Sequence, residues 1–197
     1  MIWVTSDCHF NHRNIIDYCN RPYSNCEEMN EALIRNWNER VQPQDTVIVV
    51  GDMFMGSPDT IDDIVPRLNG SIYLVDGNHD SPKRIDRMIA NGIRPVGHEL
   101  YVTAYRNSKG GWCEFYAIHD PAEIPEDISA GQGKDIIYLY GHVHDAAPRG
   151  IHAGNPGVYY FHVGADTNDY APVALEYIYE EYNEFKKKVK KGDKELS

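Results

Sequence analysis

Cysteine is sparse in this 197-residue chain: Cys8, Cys19, Cys26 and Cys113 are the whole complement, and no two form a CxxC pair. That spacing excludes a zinc finger and a thioredoxin-type redox motif. Scattered cysteines in a chain of this size read as reduced thiols of a cytosolic protein. Long apolar runs are also missing; none approaches the ~20 residues that cross a bilayer. No basic stretch precedes the strand-like segment at Met1–Ser6. The expectation is therefore a cytoplasmic protein with no signal peptide and no membrane partner. Basic residues are in deficit, 19 against 30 acidic ones, for a formal net charge of −11. Neutralising nucleic-acid phosphates needs Lys and Arg, so a long nucleic acid held tightly is not expected. A small phosphorylated substrate, such as a nucleotide, stays compatible, because bound divalent cations would offset acidic charge locally.

What is present is ordinary for a globular protein: 42% hydrophobic and 25% charged residues. The length suits one domain with a sizeable core. Neither a repeat nor a linker interrupts the chain, so residues 1–197 are read as a single domain. Strand-like segments are expected at Ile2–Ser6, Asp45–Val50 and Ser71–Val75, alternating with helices at Asn14–Tyr18, Cys26–Val41, Asp59–Leu68 and Pro82–Ala90. In the second helix Met29, Leu33 and Trp37 recur at four-residue spacing and should face a core. Ser24 or Asn25 can cap it. Pro66 should disturb the end of the third, and Asn91-Gly92 should stop the fourth. The second half is richer in strands, at Ile93–Val96, Leu100–Ala104, Trp112–Ile118, Ile136–Tyr140 and Tyr159–Val163, with a polar loop from Pro121 to Lys134 placed to cover a site. Leu175–Lys191 reads as a helix, acidic early and lysine-rich late, as its dipole prefers. The pattern predicts an α/β protein with helices covering stacked sheets.

Polar clusters recur where these strands end. Asp7 and His9 follow the first strand, Asp52 the second, and Asn78 with His79 the third; His119 follows Trp112–Ile118, and His142 with His144 follow Ile136–Tyr140. Open α/β sheets bind ligands outside the carboxyl ends of their strands. Asp7 and His9, like His142 and His144, stand two apart, and in extended backbone such residues point the same way. The adjacent Gly51, Gly77 and Gly141 permit close backbone approach. Two aspartates, four histidines and an asparagine form a mixed oxygen and nitrogen donor set that suits Mn, Fe, Zn or Ni better than Ca or Mg. Seven side chains exceed the needs of one ion, and a carboxylate bridging two ions would use them all. Cys8 lies among these groups and is read as packing on the opposite face. His98, His152 and His162 are read as packing or surface residues, and the lysines of 186–191 as a solvated helix end.

The motifs D-C-H (7–9), G-D (51–52), G-N-H-D (77–80), His119 and G-H-V-H (141–144), in that order, resemble the calcineurin-like metallophosphoesterase superfamily. The stretch S-D-C-H-F-N-H-R-N-I-I, followed by C-N-R-P-Y, further resembles a group of small bacterial and phage phosphoesterases, many of which carry Gly where this chain has Asn11. The resemblance implies a four-layer fold, a two-sheet β-sandwich flanked by helices. It implies one metal on Asp7, His9, Asp52 and His144, and a second on Asp52, Asn78, His119 and His142, with Asp52 bridging. Manganese is the first expectation, with iron, zinc or nickel as alternatives. The expected reaction is hydrolysis of a small phosphodiester by an activated hydroxide, with His79 as general acid. Asp80 is expected either to orient or charge-stabilise His79 or to play a purely structural role, and His12 to contact phosphate or move a proton. Arg13, Asn14 and Arg21, together with Asn78, are expected to touch substrate.

Three rivals are weighed against this. A protein phosphatase would resemble G-D-x-x-D-R-G and G-N-H-E, where this chain has Gly51-Asp52-Met53-Phe54-Met55-Gly56 and G-N-H-D. A repair nuclease would need a further DNA-binding domain. A non-catalytic scaffold would have lost ligands, and none is lost here. Phosphomonoester hydrolysis of a small nucleotide is the alternative reaction.

Overall fold

A computed structural model describes residues 1–106, 112–124, 135–154 and 157–191. In chain order the first half contains β1 (Ile2–Thr5), α1 (Arg13–Tyr18), α2 (Cys26–Arg40), β2 (Thr46–Val50), α3 (Asp59–Ile64), β3 (Ser71–Val75), α4 (Pro82–Ala90) and β4 (Arg94–Gly97). The second half contains β5 (Glu99–Arg106), β6 (Trp112–Ile118), β7 (Ile136–Tyr140), β8 (Ile151–Ala153), β9 (Val158–His162), β10 (Val173–Ala174) and α5 (Leu175–Lys191).

The helix signals act where the sequence places them. Met29, Leu33 and Trp37 are buried on one face of α2 together with Ala32 and Ile34. Asn25, not Ser24, is its cap: the Asn25 side chain accepts from the Glu28 amide, while the Glu28 carboxylate accepts from the Ser24 amide. α3 stops at Ile64, and Pro66 sits in a 3-10 turn over Val65–Arg67. Proline has no N–H to continue the α-helical ladder. Pro82 stands at the first position of α4, which ends at Asn91-Gly92 with Gly92 at φ 90°.

The strands form two five-stranded sheets, in the orders β10-β1-β2-β3-β4 and β5-β6-β7-β9-β8. β1 to β4 are mutually parallel, as are β6, β7 and β9. The antiparallel strands β10, β5 and β8 lie at sheet edges. β8 and β10 were not expected; three and two residues are too few to carry a period. One core lies between the first sheet and α1 to α4, where Val47, Val49, Ile72 and Leu74 meet Ile15, Leu33, Trp37, Ile61 and Met88. A second lies between the sheets, where Val4, Ile48, Val50 and Val75 meet Phe115, Ile137, Leu139 and Phe161, closed by Leu175 and Ile178 of α5. Alternating faces of each central strand therefore serve different cores. The outer face of the second sheet carries Tyr116, Tyr138 and Tyr160 with Ile124. Of the expected polar loop, Pro121–Glu123 forms a 3-10 turn; residues 125–134 lie outside the described residues. Among the described residues no helix is long and apolar enough to cross a membrane.

The feature that matters for function is where the sheets meet. Ser6, just past β1, bridges in parallel to Gly164, just past β9. Ser6 donates to the Val163 carbonyl, and Ala165 donates to the Ser6 carbonyl. The carboxyl ends of the parallel strands of both sheets are thus gathered at one edge.

Candidate metal centre

At that edge the chain bends sharply. Asp7, His9, Asp52, His142 and His144 have φ of 51°, 49°, 54°, 70° and 48°. L-residues rarely occupy this left-handed region, and each such residue costs roughly 1–3 kcal/mol that the surroundings must offset. Neighbouring backbone supplies part of that: Asp7 donates to the Gly51 carbonyl and His9 to the Asp52 carbonyl, each at 3.1 Å. Strand alternation does not aim the two pairs, as their spacing had suggested. β1 has ended at Thr5 and β7 at Tyr140, and left-handed turns aim the side chains inward. Asn11 lies in the same loop at φ 62°. Gly is common at this place in the resembling sequences, and asparagine is among the few residues that tolerate such a φ.

All seven expected ligands come together. The His119 Nε2 is 3.1 Å from Asn78 Oδ1 and 3.4 Å from Asp52 Oδ2, and His142 Nδ1 is 3.1 Å from the same Asn78 oxygen. Donors held ~2.1 Å from one ion stand about 3.0–3.4 Å apart when adjacent. On the other side of Asp52, His9 Nε2 lies 3.7 Å from Asp52 Oδ2 and 3.9 Å from Asp7 Oδ1, and His144 Nε2 lies 4.0 Å from Asp7 Oδ1. These spans fall between the adjacent and opposite spacings of a six-coordinate ion, about 3.0 and 4.2 Å. The donor atoms of Asp7, His9 and His144 all lie within 4.8 Å of one another, as do those of Asp7, Asp52 and His119. Both ring nitrogens of His9 are buried with no hydrogen-bond partner. Orphaned buried nitrogens are costly unless something binds them, and a cation held by the neighbouring carboxylates meets that need at Nε2, the nitrogen that faces Asp7 and Asp52.

Glycines make the approach possible. A Cβ at Gly77 would lie 2.3 Å from Asp52 Oδ1, and one at Gly141 would lie 2.3 Å from Ser6 Oγ and 2.5 Å from Asp7 Oδ2.

The electrostatics are those of a crowded, dry site. Burial pushes the Asp7 carboxyl up, against the pull of His119 and His144. Burial also opposes ionisation of Asp52, but the His119 hydrogen bond and charge and the His79 amide overcome it and hold Asp52 at about 2. Burial drives His9 down to about 2, so that ring is neutral with a free lone pair. His119 and His144 go the other way, to about 9 and about 10: burial resists, but Asp52 and Asp7 favour the His119 cation, and Asp166 favours that of His144. Cys8 is buried among apolar neighbours and pushed up to about 12, so it packs as expected.

The supporting residues stand differently from what their sequence positions suggest. Arg21 does not face substrate: its side chain is wholly buried and forms a two-point ion pair with Asp166 at 2.7 and 2.9 Å. Of the two roles open to Asp80 the structural one is seen: its Oδ2 accepts from the Asp52 amide at 2.8 Å and the Gly77 amide at 3.0 Å, tying the β2 and β3 ends together. The His79 amide donates to Asp52 Oδ1 at 2.8 Å, while its ring, half-exposed, sits 3.9 Å from Asp52 Oδ2. Arg84, unnoticed in the sequence, donates to the His79 carbonyl at 2.8 Å. The His12 ring stands 5.1 Å from that of His9, with a buried, unpartnered Nδ1. Arg13 is exposed and pairs with Asp17, four residues on, and Asn14 is exposed beside it. Asp166 was also missed. It takes the Nδ1 of His144 at 2.9 Å, and Cys19 lies alongside that pair. A readable signal existed: Asp166 follows a strand end, as the ligands do. His162 packs behind the site, its Nδ1 against Thr167 at 2.7 Å.

Residues 1–176 match the sequence model of the calcineurin-like phosphoesterase superfamily domain. The chain belongs to that superfamily. It is a metal-dependent phosphoesterase, a hydrolase of phosphate ester bonds. An uncharacterized protein of Methanocaldococcus jannaschii, MJ1445, is 34% identical over 179 residues, covering 90% of this chain and 88% of the other. The gene 66 protein of Mycobacterium phage L5 is 31% identical over 140 residues, 71% of this chain and 61% of that protein. In fold, the chain is similar to the crystal structure of AQ665, a protein of unknown function from Aquifex aeolicus, with a TM-score of 0.63 and 21% identity over 91% of this chain and 98% of that one. The calcineurin-like assignment accords with the two mixed sheets, the helices and the histidine–carboxylate edge described above.

Proposed function

We propose that this protein is a two-metal phosphodiesterase acting on a small substrate such as a nucleotide ester. Asp7, His9, Asp52 and His144 hold one ion, and Asp52, Asn78, His119 and His142 the other. The observation that carries the reading is the convergence of donor atoms from five strand ends on both sides of Asp52 Oδ2. The mixed oxygen and nitrogen set suits manganese first, then iron, zinc or nickel. Bound ions of this kind supply charge to the phosphoryl oxygens and activate water.

The chain's own residues do the rest. Asp7, His9, Asp52 and His119 form a buried floor, while His142 and His79 are 39% and 45% exposed and open toward substrate. The His79 ring stands 5.7 Å from the His9 ring, and Arg84 and Asp52 fix its backbone on either side. That placement supports His79 as the group that gives a proton to the leaving oxygen. His12, kept neutral mainly by burial, lines the same side.

Charge supports a diester. A monoester dianion carries one more charge and calls for a cationic side chain. Of the arginines expected at substrate, Arg21 is committed to Asp166 and Arg13 pairs with Asp17. The thiols of Cys8, Cys19 and Cys26 are free, which supports a reducing, cytoplasmic setting. The acidic charge of −11 supports the exclusion of long nucleic acid.

The test compares bis(p-nitrophenyl) phosphate with p-nitrophenyl phosphate, using metal-free protein reconstituted with Mn²⁺. The diester should be preferred, and a clear monoester preference overturns the substrate assignment. His79→Asn should keep its metal and lose about 10²–10⁴-fold in turnover on esters with poor leaving groups, far less on p-nitrophenyl esters. No loss on esters with poor leaving groups, or an equal loss on both kinds of ester, would remove His79 as the acid.

A further inference from the structure

We infer that Asp166 and Arg21 are positioning residues for one half of the metal centre, holding His144 and the Asp7–His9 turn in ligating geometry. The inference rests on the two-metal reading above.

His144 presents Nε2 toward Asp7 and Nδ1 toward Asp166, at 2.9 Å. A carboxylate that takes the outer N–H of an imidazole fixes its tautomer, aims its ring and strengthens the inner nitrogen as a donor. The other half of the centre uses a different support: the outer nitrogen of His119 donates to the Val50 backbone carbonyl at 2.8 Å. A backbone carbonyl is built into the strand, whereas the His144 support comes from side chains, the Asp166 carboxylate with the Cys19 thiol beside it. The two halves should therefore respond differently to loss of Asp166.

Arg21 extends the device. Its Nε and Nη2 grip both oxygens of Asp166. Two of its other N–H groups go inward, from Nη2 to the Asp7 carbonyl at 2.8 Å and from Nη1 to the Cys8 carbonyl at 2.9 Å, and the last, on Nη1, meets Met29 Sδ at 3.5 Å. Those carbonyls flank the left-handed turn that aims Asp7 and His9. One guanidinium thus connects three ligands of the same half: Asp7 and His9 through backbone, His144 through Asp166. The side chains of Arg21 and Asp166 are 0% and 1% exposed. A buried ion pair adds little net stability over a well-packed apolar pair of similar volume, so stability alone does not account for it. Placement of ligands does.

The experiment titrates metal-free protein with Mn²⁺, following heat and the electron paramagnetic resonance signal. Wild type should bind two equivalents; failure to do so defeats the two-metal reading itself. Asp166→Asn leaves Arg21 as a buried unpaired charge, so the double variant Arg21→Met/Asp166→Asn is made beside it. In both, one equivalent should weaken about 10–100-fold while the other stays within about threefold of wild type. Wild-type affinity at both sites, equal weakening at both, or failure of both variants to fold would overturn the positioning role.

Discussion

Replacing Gly77 with alanine tests the placement of Asp52 with a single methyl group. The new Cβ would lie 2.3 Å from Asp52 Oδ1 and 2.5 Å from the Asp52 amide nitrogen. Carbon and oxygen in ordinary contact stand about 3.3 Å apart or more, so something must move by about 1 Å. Gly77 is not at positive φ, so alanine meets no backbone penalty there and the clash carries the effect. Asp52 Oδ2 lies 3.7 Å from His9 Nε2 and 3.4 Å from His119 Nε2, so its displacement should weaken both ions. A misplacement of ~1 Å at a reacting centre costs about 10²-fold in rate, and overpacking costs about 1–3 kcal/mol in stability. Gly92→Ala is the control. Gly92 has φ 90° and open space around its Cβ, so that variant should lose roughly 1–2 kcal/mol through backbone strain alone. The assays are urea unfolding, Mn²⁺ titration and kcat/KM on bis(p-nitrophenyl) phosphate. Gly77→Ala should lose metal affinity and about two orders of magnitude in kcat/KM; Gly92→Ala should lose stability only. Wild-type metal binding and near-wild-type kcat/KM in Gly77→Ala would refute the reasoning.

Asp80 gives a second prediction. Because its carboxylate clamps two backbone amides instead of the His79 ring, Asp80→Asn, which retains one acceptor oxygen, should bind metal and keep most activity. Asp80→Ala should lose about 1.5–3 kcal/mol for each charge-assisted bond removed, read by urea unfolding. A fall in activity confined to poor leaving groups would instead return Asp80 to His79. The metal-free protein should also respond to pH in a defined direction. His119 and His144 are raised from 6.5 to about 9 and about 10, so their contribution is fully present below about 6.5 and is lost as pH rises through 9 and 10. His9 and His162, lowered to about 2 and about 4, are neutral and silent over that range. The melting temperature of metal-free protein should fall from pH 7 to 10, while Mn²⁺ affinity rises, because ligation displaces protons. A flat melting profile would refute the pairing.

Much of the fold was legible because its signals are local. Apolar runs marked the central strands, four-residue spacing marked the buried face of α2, and Pro82 and Asn91-Gly92 marked the ends of α4. β8 and β10 were not legible, since strands of three and two residues exist only through pairing with β9 and β1. The identity of the metal-capable residues was written in the sequence, because each follows a strand whose carboxyl end must lie at the sheet edge. Their aim was not. Asp7, His9, Asp52, His142 and His144 converge through left-handed turns, and only the surrounding packing holds side-chain-bearing residues in that conformation.

The supporting residues mark the same boundary. Arg21 lies in the C-N-R-P-Y stretch that follows the D-C-H motif, and an arginine near a phosphoesterase site invites a phosphate-binding role. Its actual partner, Asp166, is 145 residues away, and their meeting depends on the β1 and β9 ends joining through Ser6 and Gly164. Asp80 adjoins His79 in the chain yet turns inward to the amides of Gly77 and Asp52. The sequence by itself determined which groups are chemically able to bind metal and at which edge they emerge, because composition and strand runs are local properties. Tertiary structure alone decided which of the neighbouring charges face substrate and which are buried behind the ligands, because that depends on contacts between segments distant along the chain.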